Sequence, residues 1–549
     1  MWHRTPIRDS VLLWGILVIV GLICRPLTPV DETRAVSVAW EMWQRGDWLV
    51  PHLNGETYSH KPPLLQWGIH LGWLLFGVND WTPRLVAPLF GLANLFLTAA
   101  LAHRLWPERT EVERFAPLLL LGLPVWALWT TLTLYDMLVA FFTLLGMLGI
   151  WLSGQGEAWR GRLLTGLAIG GGVLSKGPVI LLLILPTSLL APWWLAERPA
   201  SGWGRWYLGL LGSVLLGAAL ALAWAIPAGI VGGEEYRRAI FWGQSAGRIA
   251  NSFAHRRPWW WYGAILPVML FPWVFRLSLW RNRPLPQFKT DVGLRFCLAH
   301  AGAVALLLSF VSGKQVHYIL PVVPAVALMV ARLLPESSER GAWLDRWWLA
   351  GFFVALGAGL IVLPLLHAGQ GEAANILASA PLAAKLAIIA IGLGLALARS
   401  LPPAQATAYA LAGLVLAAHP IYRAGKGPVD DMRPMAARLS ELQAAGKAVA
   451  HWGKYSGEFH FLGRLSQPLE VVMGRRELAA WLANHPDGHL LVIRRGDRGI
   501  PVEGAAFSQS YRGHRRVAEL WAAGALRADP ALLDRLAGKG AAAQDDDPA

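Results

Sequence analysis

Charge is scarce in this chain of 549 residues: Asp, Glu, Lys and Arg make up 15% of it, against 55% hydrophobic residues. So little polar surface cannot wrap one soluble body of this length in water, which leaves the bilayer as the natural solvent. Cysteine is nearly absent. The two present, Cys24 and Cys297, lie inside apolar runs, which argues for buried free thiols and against a disulfide framework or a cysteine metal centre. Acidic residues are outnumbered, giving a formal charge of +14. The Arg residues are spread over short loops and do not gather on one surface, so anionic lipid headgroups are expected as counterparts and nucleic acid is not.

What is present in quantity is apolar sequence. Windows long enough to cross a hydrocarbon core, about 20 residues each, recur from Val11 to about Tyr422 and then stop. About thirteen are expected, over 11–27, 85–105, 115–133, 137–153, 163–175, 178–196, 206–231, 259–279, 294–311, 317–334, 346–366, 382–399 and 405–422. No small-residue cleavage site follows Cys24, so the first window reads as a retained helix. The run Leu64–Val78 is interrupted by Gln66 and His70. Were it to span, the Arg-rich turns around Arg104, Arg109 and Arg114, and around Arg276, Arg281 and Arg283, would face outward against the positive-inside rule. It is therefore expected to lie flat at the interface. That threading puts the N-terminus in the cytoplasm. Residues 28–84, the turn at Tyr135-Asp136, the loop 232–258, the turn Gly313–His317 and the C-terminus fall on the outer side.

From about residue 426 the pattern becomes that of a small soluble α/β unit, expected over 426–537. It has helices at Met432–Ala444 and Glu477–Asn484 and strands at Ala448–Trp452, Leu469–Val472 and Leu490–Ile493. The tail 538–549 has low complexity and is expected to be disordered.

Several polar residues stand out on the outer side. Asp31 and Glu32 head a segment in which Val36, Ala39, Trp40 and Trp43 give an interfacial helix one apolar side. Such carboxylates can simply cap that helix or can do chemistry. Lys61, fixed by Pro62 and Pro63, either snorkels to headgroups or binds a phosphate. Asp136 between two apolar runs is costly to ionise in the membrane and faces a partner or a water-filled cavity. Lys176, Arg248, Lys314, His317 and Tyr318 sit at segment ends on the same face, a concentration of phosphate-seeking groups. His60 is either a metal ligand or an interface residue. Gly170-Gly171-Gly172 before Ser175-Lys176 has the wrong order for a phosphate loop, and His485 and His489 flank a turn.

The order of these motifs carries a resemblance. Asp31-Glu32-x-Arg34, Tyr58-x-x-Lys61-Pro62-Pro63-Leu64, Tyr135-x-x-Leu138, Ser175-Lys176-Gly177-Pro178, His255-x-x-Pro258 and Lys314-x-x-His317-Tyr318 follow one another as in the aminoarabinose transferases of the protein-mannosyltransferase superfamily, which the chain resembles over nearly its whole length. The resemblance implies an all-α polytopic glycosyltransferase fold of the GT-C type with a small outer α/β domain, in the bacterial inner membrane. It also implies an undecaprenyl-phosphate sugar donor, typically carrying 4-amino-4-deoxy-L-arabinose, and a lipid A phosphate as acceptor. By the same carry-over Asp31 is the principal catalytic carboxylate, with Asp136 and Glu32 supporting it, and Tyr58, Lys61, Lys176, Arg248, Lys314, His317 and Tyr318 bind substrate. Three departures stand out. Ala35 and Ser37 replace a usual Tyr and Glu, and His60 replaces the Glu before Lys-Pro-Pro. His60 with His255 would offer a zinc site in its place. A relative moving mannose or a hexosamine to a protein or glycan hydroxyl is the alternative enzyme. A transporter, the other class, would show repeats and mid-membrane polar residues.

Overall fold

A computed structural model of the chain describes residues 6–243, 256–281, 285–334, 342–366, 372–398, 400–495, 503–513, 516–529, 532 and 536. The structure is a helical membrane body carrying one small sheet near its C-terminus. In chain order the first elements are α1 (Pro6–Cys24), α2 (Asp31–Arg45), a short antiparallel pair β1 (His52–Leu53) and β2 (Glu56–Thr57), α3 (Leu64–Phe76) and α4 (Pro83–Leu105). Next come α5 (Thr110–Leu121), α6 (Pro124–Trp129), α7 (Asp136–Gly154), α8 (Ala158–Lys176) and α9 (Val179–Leu189).

Among the described residues, eight helices are long and apolar enough to cross a membrane. Several of the other expected windows are divided or shortened by local chemistry. The window 115–133 is broken at Gly122-Leu123, where Pro124 starts a new helix. The window 178–196 breaks at Leu190, and 259–279 ends its Trp261–Met269 helix ahead of Pro272. Over 382–399 the helix has 16 residues, and α8 carries Arg160 and Arg162 near its start and Lys176 at its end.

The 13 residues of α3 make a helix roughly 20 Å long, too short for a hydrocarbon core of roughly 30 Å. The two residues that interrupt its apolar run are its attachments. Gln66 donates from Nε2 to Tyr135 Oη (2.7 Å) and the Ala35 carbonyl (3.3 Å), and His70 donates from Nε2 to the Ala39 carbonyl (2.7 Å). Trp43, Trp48 and Trp73 close around the His70 ring. Val36 and Ala39 on the inward side of α2 are fully buried.

The sheet has strand order β4-β3-β5-β7-β6, from β3 (Val449–Trp452), β4 (Glu470–Val472), β5 (His489–Arg495), β6 (Phe507–Ser510) and β7 (Arg516–Ala522). Strands β4, β3 and β5 run parallel, and β7 pairs antiparallel with both β5 and β6. A loop before β4 lies against α2. Ser37 Oγ donates to the Gly457 carbonyl (2.6 Å) and accepts from Phe461 N (3.1 Å), while Trp40 Nε1 donates to the Leu465 carbonyl (2.9 Å).

Helices α7 and α8 approach closely because small residues face each other, as is usual where lipid gives no hydrophobic push. A Cβ on Gly149 would stand 2.6 Å from the Gly161 carbonyl oxygen, and one on Gly161 2.4 Å from that of Gly149. Backbone atoms cannot step aside. Gly161→Leu is therefore expected to cost about 1–3 kcal/mol by overpacking, read as a lower thermal unfolding midpoint in detergent. An unchanged midpoint would show that the contact is not needed.

Candidate active site

The site begins where α1 ends. Arg25, 6% exposed, turns inward from the link to α2 and donates to Glu32 Oε2 (2.8 Å), Thr28 Oγ1 (3.0 Å) and the Thr131 carbonyl (2.8 Å). Glu32, 2% exposed, also accepts from the backbone N–H groups of Thr28 (3.0 Å) and Thr133 (2.7 Å). Burial would raise the pKa of Glu32, but the charge of Arg25 and these hydrogen bonds outweigh it and hold the carboxyl at about 2. One ion pair thus ties together the end of α1, the first turn of α2 and the link between α6 and α7.

Asp31 is not the cap of α2. The N-cap position is Val30 and no side chain caps it. Asp31 is the first helical residue, its side chain is 70% exposed, and its partner is Arg34 Nη2 at 2.5 Å. Two neighbouring carboxylates therefore have opposite surroundings. Glu32 is spent inside the fold and positions the turn, while Asp31 is presented to solvent.

The second wall comes from a helical hairpin. Asp136 opens α7, Lys176 closes α8, and Nζ meets Oδ1 at 2.7 Å. The same ammonium lies 4.7 Å from the ring centre of Tyr318. His317 stacks on Trp129 at 5.9 Å and meets the Tyr318 ring edge-on at 4.8 Å. Lys61 is near enough to act electrostatically on both Asp136 and His317, and Asp31 on His317. Asp31, Lys61, Asp136, Lys176, His317 and Tyr318 therefore form one cluster. Within it Lys61 acts electrostatically on the carboxylate of the Asp136–Lys176 pair.

The remaining expected residues stand outside these pairs, Tyr58 within electrostatic reach of Arg34. Tyr58 is 8% exposed, packs on Val38 and Met42, and has the His60 ring 5.1 Å from its own. Lys314 is 3% exposed and donates to the backbone carbonyls of Val311 (2.5 Å) and Arg257 (3.0 Å), so its ammonium serves the turn. Arg248 and His255 lie outside the described residues. Among the described residues no group of three His, Cys, Asp or Glu side chains is placed to hold a metal ion, and His255, the expected companion of His60, lies outside them.

Sequence reasoning gave no site role to three participants, although Arg34 and Tyr135 stood in its motifs. Arg34 was visible as the i+3 neighbour of Asp31. Burial disfavours its charge, and Tyr58, Asp31, Tyr135 and Glu458 together outweigh that and raise its pKa. Tyr135 is buried against Gln66, and burial pushes its hydroxyl pKa up. Glu458, 4% exposed and held by Tyr511 Oη (2.8 Å), arrives from the C-terminal region, and nothing in its sequence surroundings announces it.

With this geometry in hand, the chain can be set beside known proteins. Residues 60–227 match the family model described as dolichyl-phosphate-mannose-protein mannosyltransferase. The chain is 29% identical over 367 residues to the undecaprenyl phosphate-alpha-4-amino-4-deoxy-L-arabinose arabinosyl transferase of Enterobacter sp. (strain 638), covering 65% of this chain and 64% of that protein. To the protein of the same name from Edwardsiella ictaluri (strain 93-146) it is 31% identical over 378 residues, again 65% and 64%. The match thus spans 64% of the length of these curated relatives. In structure, ArnT from Cupriavidus metallidurans bound to undecaprenyl phosphate superposes with a TM-score of 0.74 at 20% identity, over 94% of this chain and 97% of that one. The two share a fold.

The buried pair yields a test on stability. A carboxyl whose folded pKa is about 2, against an ordinary 4.5, stabilises the fold fully above pH 4.5 and loses that contribution as pH falls toward 2. Glu32→Gln leaves Arg25 buried without its counter-charge and is expected to cost about 3–5 kcal/mol at neutral pH. Thermal unfolding between pH 7 and pH 3 should show the wild type losing stability at the acid end and the variant, already weak, showing less of that acid loss. A variant as stable as the wild type would remove the pair from its central place.

Proposed function

We propose that this chain, a member of the undecaprenyl phosphate-aminoarabinose arabinosyl transferase family by sequence and by fold, moves a sugar from undecaprenyl phosphate to a phosphate of lipid A. The sugar is 4-amino-4-deoxy-L-arabinose, and transfer takes place at the outer face of the bacterial inner membrane. The observation that carries this reading is the exposed Asp31 carboxylate, set on a buried ion pair and sharing one cluster with Lys61 and the Asp136–Lys176–Tyr318 group.

The chemistry follows from those groups. The bond between the sugar C1 and the carrier phosphate oxygen breaks, its electron pair stays on the phosphate, and an oxygen of the acceptor phosphate bonds to C1 from the opposite face. Inversion in one displacement results. Positive charge builds at C1 and negative charge on the departing phosphate. Lys61 receives the latter, with Lys176 held beside it by Asp136. A phosphate acceptor is already an anion, so Asp31 orients it and stabilises the sugar cation, and need not take a proton. Asp31 exchanges its Arg34 contact for substrate, and Arg34, within electrostatic reach of Tyr58 and Tyr135, follows the acceptor phosphate.

A second reading has support of its own. His60 stands where the resemblance implies a Glu, a carboxylate suited to an amino group, and the matching family model is named for mannosyl transfer to protein. In that case the acceptor is a hydroxyl and Asp31 acts as general base. Mass spectrometry of lipid A and of cell-surface glycans, from cells with and without the protein, separates the two by the mass added and its carrier. An aminopentose on lipid A is expected. Asp31→Asn should lower transfer by about 10²–10³-fold with the thermal midpoint retained, and full activity in that variant would reject the assigned role. A covalent glycosyl adduct on Asp31 would overturn single displacement.

A further inference from the structure

Apart from the sugar-transfer cluster, a cavity of about 440 Å³ opens where α1 and the Pro403–Gly425 helix meet the segment around Arg433. That is within the size range of small-ligand sites. Its walls are of two kinds. Leu22, Ile23, Leu27 and Leu462 form an apolar side, and the guanidinium groups of Arg25, Arg84, Arg423 and Arg433 line the other.

Carboxylates neutralise only part of this charge. Arg25 is matched by Glu32 and Arg433 by Asp431 (2.6 Å), while Asp80, also at the cavity, is taken by Arg464. Among the described residues neither Arg84 nor Arg423 pairs with a carboxylate. Arg84 donates to the carbonyls of Gly21, Leu22 and Arg25, and Arg423 to that of Ile23 (2.7 Å). Capping the free carbonyls of α1 explains those contacts. It does not explain the surplus: two positive charges remain at the cavity, and Arg84 is repelled by Arg25 and Arg433 as well as attracted by Glu32 and Asp80. Such a place is completed by an anion.

The apolar side identifies the kind of anion. Leu12, Ile16, Ile19 and Ile23 are all exposed on α1 at helical spacing, forming one stripe that ends at the cavity through Ile23. A chain lying along that stripe brings its headgroup to the guanidiniums. We infer that the cavity binds the phosphate of an anionic membrane phospholipid, its acyl chain lying along α1. Arg25 belongs both to this wall and to the ion pair that sets Asp31, so the occupant adjoins the frame of the transfer site without entering it.

The full-length protein in detergent, titrated with phosphatidylglycerol, phosphatidylcholine or inorganic phosphate and read by native mass spectrometry and thermal shift, tests this. Phosphatidylglycerol should bind and raise the midpoint, with phosphatidylcholine and inorganic phosphate failing to match it. Arg423→Ala should weaken phosphatidylglycerol roughly tenfold, the loss expected for one charged hydrogen bond. If that variant does not fold, Arg433→Gln, which leaves Asp431 facing the headgroup, serves the same purpose. Equal binding of the two lipids, equal protection by inorganic phosphate, or unaltered phosphatidylglycerol binding by a folded variant would each overturn the inference.

Discussion

The buried pair of Arg25 and Glu32 is the contact on which the rest of the candidate site depends. Removing two charges from water is expensive, and a pair of this kind persists only where further hydrogen bonds occupy the remaining donors and acceptors. Here the supply comes from Thr28, Thr131 and Thr133, residues on two links that no secondary structure joins. The pair therefore holds irregular backbone at a point where the chain leaves one helix, starts a second and passes between two more. Successive residues on a helix point roughly 100° apart, so fixing Glu32 inward leaves Asp31 directed away from it. The more deeply buried carboxylate sets the place of the exposed one.

The opposite wall uses a different economy of charge. Asp136 stands at the first turn of α7 and Lys176 at the last turn of α8, the ends where each sign complements the helix dipole. Because the two helices are antiparallel neighbours drawn together through Gly149 and Gly161, those ends coincide. Close packing at one end of the hairpin thus determines the separation of charges at the other. An isolated Asp136 at this depth would be costly, and with Lys176 at 2.7 Å and the Tyr318 ring beneath the ammonium, the pair presents a firm polar surface to a substrate.

How much of this was legible beforehand depends on whether a residue's role is local. Apolar length located the helical windows, and the start of an interfacial helix at Asp31 followed from the alternation of Val36, Ala39, Trp40 and Trp43. Breaks inside windows were harder, because Pro124 begins a helix and Pro272 follows the end of one, while Pro88 and Pro227 sit inside helices, and neighbours decide which. Strand β7 escaped notice for a clear reason. Glu519 interrupts its apolar pattern, yet it is fully buried because Arg494 of β5 meets it at 2.6 Å. Likewise Gln66 and His70 looked like defects in an apolar run and are its anchors. The separation of Asp31 from Glu32 came from the family resemblance alone, since adjacent carboxylates differ physically only in what the fold places around them.

Ser37 connects these themes. A small hydroxyl at this position both donates to Gly457 and accepts from Phe461, which a longer acidic side chain in the same volume could not do without burying a charge. The loop it receives carries Glu458 to within electrostatic reach of Arg34, the partner of Asp31. Helix α2 is thereby gripped from below by the Arg25–Glu32 pair and from above by the C-terminal region. With both faces held, the orientation of Asp31 is a property of the whole assembly, and substitutions at either seam should reach the reaction through this helix.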